Sequence, residues 1–226
     1  MSILALFQDA ELSMLKCLGA AAARLAEFAV EIRHQFGGRL VVDGPERGKR
    51  APGSGLQGHA GQSERGAIVS GGRLLRGHLG RAGHFGHLTV DHKGKLDICN
   101  CPGSIEDAIG NYTIRERSGG RFGSTRDLLA ALETGDPHAG EVWSASIRAL
   151  GAAVASLVNV LDPEVVLIGG GIAEADHLLL EPLQQALDEF EWRPDNHRVT
   201  IRKAELGEWA GTWGAAWNAV KSDETA

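Results

Sequence analysis

The residues best suited to chemistry are concentrated in the segment 83–106, which reads GHFGHLTVDHKGKLDICNCPGSIE. His84 and His87 lie one helical turn apart in sequence, and Cys99 and Cys101 form a Cys-x-Cys pair. Imidazole and thiolate groups together are typical ligands of tetrahedral zinc. A zinc finger, however, needs a second pair of ligands at a defined spacing. The spacing therefore leaves two alternatives, a zinc site and a plain turn with free thiols.

A short helix is predicted to follow the cysteines and to position a carboxylate. Ser104 comes directly after a Pro-Gly turn, and a serine at this place can accept hydrogen bonds from the first N–H groups of a helix. Glu106 then lies in the first turn, where the helix dipole favours negative charge. We predict a helix over residues 103–114.

A second candidate site lies further along the chain, where glycines follow an apolar segment. Residues 164–168 are mostly apolar, as in a strand covered on both faces, and they lead into Gly169, Gly170 and Gly171. A helical segment then continues to about residue 190. A strand, a glycine turn and a helix in this order bring backbone N–H groups close to a phosphate or ribose. A tight turn explains the glycines equally well, so nucleotide binding is one of two interpretations.

Hydrophobic spacing and turn residues predict the elements around these two candidate sites. Helices alternating with strands indicate an α/β fold. The clearest helix begins at Asp136-Pro137, an N-cap followed by proline at the first helical position, and it ends at Asp162-Pro163. Ser124 is predicted to cap a shorter helix before it. The remaining predictions are helices over 9–28 and 208–220, strands over 29–33 and 198–204, and a hairpin over 67–75 around Gly71-Gly72.

Composition and charge argue against several classes of function. Of the 226 residues, 43% are hydrophobic, enough for a substantial core. A formal charge of −6 and a pI near 5.8 do not suit a nucleic-acid-binding surface. No apolar run reaches the roughly 18 residues of a membrane-spanning helix, and the apolar start lacks the basic flank of a signal peptide. Three cysteines, an odd number, favour the reducing cytoplasm over a disulfide framework.

The segment 83–106 resembles the motif of the ROK family, which comprises repressors, uncharacterised reading frames and sugar kinases. That motif reads Gly-Glu-x-Gly-His, followed by Cys-x-Cys-Gly-x-x-Gly-Cys-x-Glu. Residues 83–87 align with its first part and residues 97–106 with its second part, without gaps. The resemblance continues through residues 162–173 and 206–211, and it covers about residues 66 to 220.

The resemblance implies a fold and a set of binding residues. The fold is the actin-like ATPase (ribonuclease H-like) fold, and residues 66–226 resemble the C-terminal of its two lobes. In the family, a sugar and ATP with Mg bind between the lobes. By this resemblance His84, His87 and Glu106 contact a hexose such as glucose, while Gly169–Gly171 contact the nucleotide. The resemblance assigns no catalytic residue in this sequence.

The same alignment predicts that the zinc site of the family is lost. Its four ligand positions fall on His87, Asp97, Cys99 and Ser104, and only His87 and Cys99 keep the residue type of the family. Asp97 is still a possible ligand, and Cys101 can take a vacant position if the loop shifts. Ser104 is a poor zinc ligand and a good helix cap. Turn chemistry is therefore expected to hold this loop in place of zinc.

Residues 1–65 depart furthest from the family, and they are predicted to be a remnant or disturbed part of the N-terminal lobe, partly disordered. Gln35 lies at the end of the strand where the family carries an aspartate base, and glutamine cannot accept the proton. Asp43 ends another strand-like run, but its position does not match the spacing of the aspartate base in the family. Residues 44–65 are polar and glycine-rich, and Glu64 lies where the family binds phosphate. A disturbed reading frame upstream of the well-patterned part would explain this loss of pattern.

Two functions agree with these observations. The first is a ROK-type sugar kinase that uses ATP with Mg to phosphorylate a hexose, at a rate reduced by the altered phosphate loops and base. The second is a non-catalytic sugar-binding or regulatory protein of the same ancestry. In either case we expect a cytoplasmic homodimer with no nucleic-acid or membrane partner. The tryptophans of the helix predicted over 208–220 are expected to lie in the core or on the dimer surface.

Overall fold

The segments of the chain that the computed structural model describes are residues 38–43, 65–70, 73–80 and 82–205. They all belong to one unit of the chain, Gly38–Glu208. Several predicted features lie outside the described residues: the helices over 9–28 and 208–220, the strand over 29–33, the polar segment 44–64, Gln35 and the Gly71-Gly72 turn.

Within the described segments, five strands form a mixed sheet: β1 (Gly38–Asp43), β2 (Arg65–Ser70), β3 (Arg73–Leu74), β4 (Val165–Ile168) and β5 (Thr200–Lys203). Their order across the sheet is β3-β2-β1-β4-β5. β2 pairs with β1 and β3 in antiparallel fashion, whereas β4 runs parallel to both β1 and β5. The parallel strands are separated in sequence by helices, which is the arrangement that parallel pairing requires.

The helices in the described segments are α1 (Ile105–Ile109), α2 (Ile114–Arg117), α3 (Thr125–Glu133), α4 (Pro137–Leu161) and α5 (His177–Phe190). Short 3-10 turns occur at Phe85–His87, Asn111–Thr113, Gly171–Ala175 and Pro194–Asn196. The alternation of strands and helices after β3 confirms the predicted α/β class.

Side-chain caps determine where α3 and α4 begin. Ser124 Oγ accepts a hydrogen bond from the N–H of Asp127 at 3.1 Å. Asp136 Oδ1 accepts hydrogen bonds from two N–H groups in the first turn of α4, at 2.9 and 3.2 Å. α4 ends where Asp162 takes a left-handed conformation with φ of 45°. The starts predicted at Ser124 and Asp136 and the end predicted at Asp162 are confirmed.

The prediction of a single helix over residues 103–114 was wrong in the extent of the helix. α1 ends at Ile109 because Gly110 adopts an extended conformation, with φ of −59° and ψ of 143°. The hydroxyl of Thr113 donates hydrogen bonds to the carbonyl oxygens of Asp107 and Gly110, at 2.7 and 3.0 Å. Side-chain bonds of this kind compete with the backbone bonds of a continuous helix, so the chain divides here into α1, a 3-10 turn and α2.

The core lies where α4 and α5 pack together against the sheet. On α5, Leu179, Leu183 and Leu187 recur at helical spacing and are fully buried. The two helices approach so closely that a Cβ atom at Gly151 of α4 would lie 2.6 Å from the Cβ of Ala186 on α5. The apolar strand β4 is buried with them, as its sequence predicts.

By length and composition α4 could cross a membrane. One face of this 25-residue helix is instead buried against the rest of the unit through Val142, Trp143, Ile147, Leu150, Val154 and Val158. A core helix of a globular domain has the same length and apolar character. α4 therefore packs as a core helix.

Candidate functional site

The candidate site is built on an irregular segment of chain between the 3-10 turn Phe85–His87 and α1. An isolated antiparallel bridge joins Thr89 to Ser104. Beside it, the N–H of Ile105 donates a hydrogen bond to the carbonyl oxygen of Leu88 at 2.9 Å. These contacts bring the last residue of the 3-10 turn next to the start of α1.

Two glycines allow this segment to close. Gly83 has φ of 93°, and a Cβ there would lie 2.0 Å from the carbonyl oxygen of Gly66 in β2. Gly103 has φ of 50°, and a Cβ there would lie 2.1 Å from the carbonyl oxygen of Asp91. Positive φ and lack of space both disfavour a side chain at these positions. The segment is therefore fixed to the sheet at one end and to itself at the other.

Asp97 organises the loop that carries the two cysteines. Its Oδ1 accepts hydrogen bonds from the N–H groups of Cys99 and Cys101, both at 2.8 Å. Its own N–H donates to the carbonyl oxygen of Cys101 at 2.9 Å, and Asn100 takes a left-handed conformation inside the turn. The side chain of Asp97 is only 2% exposed. Its second oxygen, Oδ2, has no hydrogen-bond partner among the residues that the structure describes.

His87 faces two buried carboxylates. Its Nδ1 lies 3.6 Å from Oδ2 of Asp97 and 3.9 Å from Oε2 of Glu106, whose side chain is 8% exposed. Like Asp97 Oδ2, His87 Nδ1 makes no hydrogen bond within the described segments. Two carboxylates with so little contact with solvent favour positive charge between them. The cluster therefore suits a cation or a polar ligand that donates hydrogen bonds.

The structure places the three predicted sugar-binding residues in one neighbourhood. Glu106 is buried in the first turn of α1. The exposed ring of His84 stacks against that of His87, with ring centroids 6.5 Å apart. Imidazole nitrogens and carboxylate oxygens match the donors and acceptors of sugar hydroxyls. The role of these three residues in binding a sugar stays a prediction.

The four zinc-ligand positions of the ROK motif do not all converge. Cys99 is exposed, and Ser104 is buried as the cap of α1. Within the described part of the chain, the potential metal ligands that converge belong to His87, Asp97 and Cys101, whose ligand atoms all lie within 4.8 Å of one another. Among the described residues this converging group therefore contains Cys101 but neither Cys99 nor Ser104. The assignment of Cys99 as a metal ligand stays a prediction. The loss of zinc stays a prediction.

Hydrogen bonds and burial shift the acidity of two groups in this loop. Burial acts to raise the pKa of Asp97, but the N–H groups of Cys101 and Cys99 and the nearby hydroxyl of Ser104 outweigh it. The pKa of this carboxyl therefore lies below its usual value. Burial raises the pKa of the Cys99 thiol, and the negative charge of Asp97 raises it further. At neutral pH Asp97 is thus ionised and Cys99 is a thiol.

The sequence patterns did not reveal an arginine, Arg117, that supports α1 just beyond its end. Arg117 donates hydrogen bonds to the carbonyl oxygen of Gly110, just past the end of α1, at 3.1 Å and to Oγ of Ser146 on α4 at 2.6 Å. Its Nε donates to Thr113 Oγ1 at 3.0 Å. Arg117 and Ser146 are 29 residues apart, so no local pattern could have revealed this support for the helix that carries Glu106.

The predicted nucleotide loop lies at the carboxyl end of β4. Gly170 has φ of 73° and ψ of −172°, a region that is essentially restricted to glycine. Its carbonyl oxygen accepts a hydrogen bond from the N–H of Ala173 at 3.1 Å, within the 3-10 turn that precedes α5. The predicted order of strand, glycine turn and helix ending at Phe190 is confirmed. The contact of Gly169–Gly171 with a nucleotide stays a prediction.

The sequence matches a known family over most of its length. The match to the ROK family extends over residues 65–222. A glucokinase of Halalkalibacterium halodurans is 31% identical over 178 residues, which cover 70% of this chain and 53% of that protein. The chain thus spans about half the length of the curated relatives it matches.

Solved structures share the fold of this chain. The ROK hexokinase from Thermus thermophilus aligns with a TM-score of 0.66 and 29% identity, covering 81% of this chain and 58% of that chain. A ROK family glucokinase from Streptomyces griseus, solved in complex with glucose and AMPPNP, aligns with a TM-score of 0.63 and 24% identity, covering 81% and 61% of the two chains. The predicted actin-like ATPase fold is confirmed.

Proposed function

This chain belongs to the ROK family, and we propose that it is a sugar kinase-like protein that binds a hexose and ATP with Mg. The reaction is transfer of the γ-phosphoryl group of ATP to a hydroxyl of the hexose, as in a glucokinase. We assign the C-terminal lobe of the family to residues 66–226 and a remnant of the other lobe to residues 1–65.

The observation that carries the proposal is the position of His87 and Glu106 in one polar cluster, with Nδ1 and Oε2 3.9 Å apart. Glu106 sits on a helix that Ser104 caps at its start and Arg117 supports beyond its end. Polar groups held in place before binding lose little entropy when a ligand arrives. His84 is proposed as the third sugar contact. Because the ROK motif has a glutamate there, His84 changes the hydrogen bonds offered to the sugar.

Gly169, Gly170 and Gly171 are proposed to bind the ATP. They follow β4 at the carboxyl ends of the parallel strands, where ligands of open α/β sheets bind. The glycine-only conformation of Gly170 supports close approach of a ligand to the backbone. The S. griseus glucokinase, which has a related fold, was solved with AMPPNP, and this supports a nucleotide site on the same fold.

Phosphoryl transfer by this chain is proposed to be slow. Gln35 stands where the family has its aspartate base, and Glu64 stands in the region of the second phosphate loop. A general base contributes typically about 100- to 10,000-fold to a rate. A glutamate near the γ-phosphate repels its charge. We therefore expect turnover at least about 100-fold below that of a relative with both parts.

The replacement of the base by Gln35 also favours a second candidate function, which is sugar binding without turnover. The cluster of His87 and Glu106 needs neither the base nor the phosphate loops to bind a hexose. Such a protein would act as a sugar-binding or regulatory member of the family.

We place the protein in the cytoplasm as a homodimer, with hexose and ATP as partners and without a nucleic-acid or membrane partner. The formal charge of −6 and the odd number of cysteines support this setting. Trp209, Trp213 and Trp217 recur at helical spacing, which supports a dimer surface on the helix that the sequence predicts over 208–220.

Release of ADP, measured with a panel of hexoses beside the H. halodurans glucokinase, tests the proposed function. We expect hexose-dependent release, at least about 100-fold slower than in that relative. A comparable rate would refute the proposed loss of the base. Hexose binding without hexose-dependent ADP release would identify the second function. Absence of both binding and release would refute both functions.

A further inference from the structure

We propose that His87, Asp97 and Cys101 bind a divalent metal ion of the zinc type, with Cys99 outside the site. Such a site is an alternative to the loss of zinc that the ROK alignment predicts. Its ligand set differs from the one that the ROK motif places on the sequence, in which Cys99 and Ser104 would be ligands. In the proposed set Cys101, two positions after Cys99, supplies the thiolate. Ser104 supplies no ligand. Imidazole, carboxylate and thiolate groups are all common zinc ligands.

The separations of the donor atoms support this site. Zinc bonds of about 2.0–2.3 Å in tetrahedral geometry hold the donor atoms roughly 3.3–3.8 Å apart. Nδ1 of His87 and Oδ2 of Asp97 are already 3.6 Å apart. All three potential ligand atoms, including Sγ of Cys101, lie within 4.8 Å of one another. A movement of the thiol by about 1 Å would therefore complete the set.

Two of the potential ligand atoms, Oδ2 of Asp97 and Nδ1 of His87, are buried without a hydrogen bond to any residue that the structure describes, and this supports the site independently. The side chain of Asp97 is 2% exposed, yet its Oδ2 has no hydrogen-bond partner among the residues described, and the same is true of Nδ1 of His87. A buried carboxylate is costly unless another group pairs with it. The two atoms without partners point toward each other at a distance that a metal ion would bridge.

The fold of the loop selects Cys101 over Cys99. Two hydrogen bonds join Asp97 and Cys101. The N–H of Asp97 donates to the carbonyl oxygen of Cys101, and the N–H of Cys101 donates to Oδ1 of Asp97. The next residues outward, Leu96 and Pro102, also form a bridge. Asp97 and Cys101 are therefore opposite each other across the turn, whereas Cys99 lies at the exposed tip.

The charge of the cluster suits a divalent ion. Asp97 and Glu106 place two carboxylates within 3.9 Å of Nδ1 of His87, and a bound Cys101 would add a thiolate. A divalent cation offsets this negative charge. Three protein ligands leave the fourth position of a tetrahedral ion open. The ion would join the cysteine loop to the 3-10 turn Phe85–His87.

Titration of the full 226-residue chain with Co2+, followed by absorption spectroscopy, tests this site. Cys101→Ser removes the proposed thiolate, and Cys99→Ser is its matched control. We expect one Co2+ per chain with a thiolate-to-cobalt absorption band in the wild type and in Cys99→Ser. Cys101→Ser should lose the band and bind Co2+ at least about 10-fold more weakly. Cys17 is common to all three proteins, so it cannot account for a difference between them.

Two results would overturn the proposal: no stoichiometric Co2+ binding by the wild type, or a band that Cys101→Ser keeps. Asp97→Asn, which retains both thiols, is a second variant and should also weaken binding. Circular dichroism shows whether each variant is folded. Because sugar and ATP are absent from the titration, failure of the metal site is distinguishable from failure of the proposed function.

Discussion

At the scale of single residues, Asp97 divides its two carboxylate oxygens between the loop and His87. Oδ1 accepts the N–H groups of Cys99 and Cys101, while Oδ2 faces His87. A thiol sulfur is a weak hydrogen-bond acceptor compared with a carboxylate oxygen. The aspartate therefore holds the turn through stronger bonds than the cysteine of the ROK motif would form at this position.

The lowered pKa of Asp97 predicts a change in stability with acid. Because folding lowers this pKa, the ionised carboxylate stabilises the fold above the ordinary carboxyl pKa of about 3.9. That stabilisation is lost as the pH falls through the lowered value. Asp97→Asn lacks this contribution. In urea unfolding of the metal-free protein, the difference in free energy of unfolding between the wild type and Asp97→Asn should therefore shrink between about pH 5 and pH 3. A difference that is independent of pH would contradict the expectation.

The sequence motif predicted which residues lie in the site better than it predicted how they are arranged. The resemblance to the ROK motif brought His87 and Glu106 to notice, and the structure places them 3.9 Å apart. The same motif placed Cys99 at a ligand position, whereas in the structure Cys101 is the cysteine grouped with His87 and Asp97. This grouping depends on the N–H groups that bond to Asp97, which only the folded loop defines.

At the scale of secondary structure, local signals predicted the helices whose ends are fixed by neighbouring residues. Asp136 and Ser124 each bond to N–H groups within one turn, so the sequence holds all the information needed. The break between α1 and α2 was missed because it also depends on contacts across the fold. Arg117 there links Gly110 to Ser146 on α4.

The approach of α4 to α5 predicts opposite effects for two alanine substitutions in one helix. Alanine stabilises a helix interior by about 1 kcal/mol relative to glycine, but a Cβ at Gly151 would lie 2.6 Å from that of Ala186. Overpacking costs about 1–3 kcal/mol, so Gly151→Ala should lower the free energy of unfolding in chemical denaturation. Gly140→Ala is the control, since its nearest contact is Leu132 Cδ1 at 4.0 Å, and it should raise stability by up to about 1 kcal/mol. Equal effects would contradict this packing.

At the scale of the whole molecule, the sheet joins parts of the chain that no local pattern connects. Val42 in β1 pairs with Ile168 in β4, so the end of β1 at Asp43 lies at the same edge of the sheet as the loop Gly169–Gly171. Periodicity predicted these apolar runs as strands but could not predict their order, because pairing over so many residues depends on the packing of α4 and α5 between them. The resemblance to the ROK family supplied the expected fold, and the structural matches confirm it.

The central claim is that this unit binds a hexose through the cluster of His87 and Glu106. Calorimetric titration of glucose and other hexoses into the wild type, Glu106→Gln and Glu116→Gln tests it most directly. Glu116 is the matched control because it is exposed and pairs with Lys95 on the surface. Loss of a hydrogen bond to a charged group costs about 1.5–3 kcal/mol. We therefore predict saturable binding to the wild type, binding at least about 10-fold weaker to Glu106→Gln, and no change in Glu116→Gln. Unchanged affinity in a folded Glu106→Gln variant, or no binding of any hexose to the wild type, would contradict the claim.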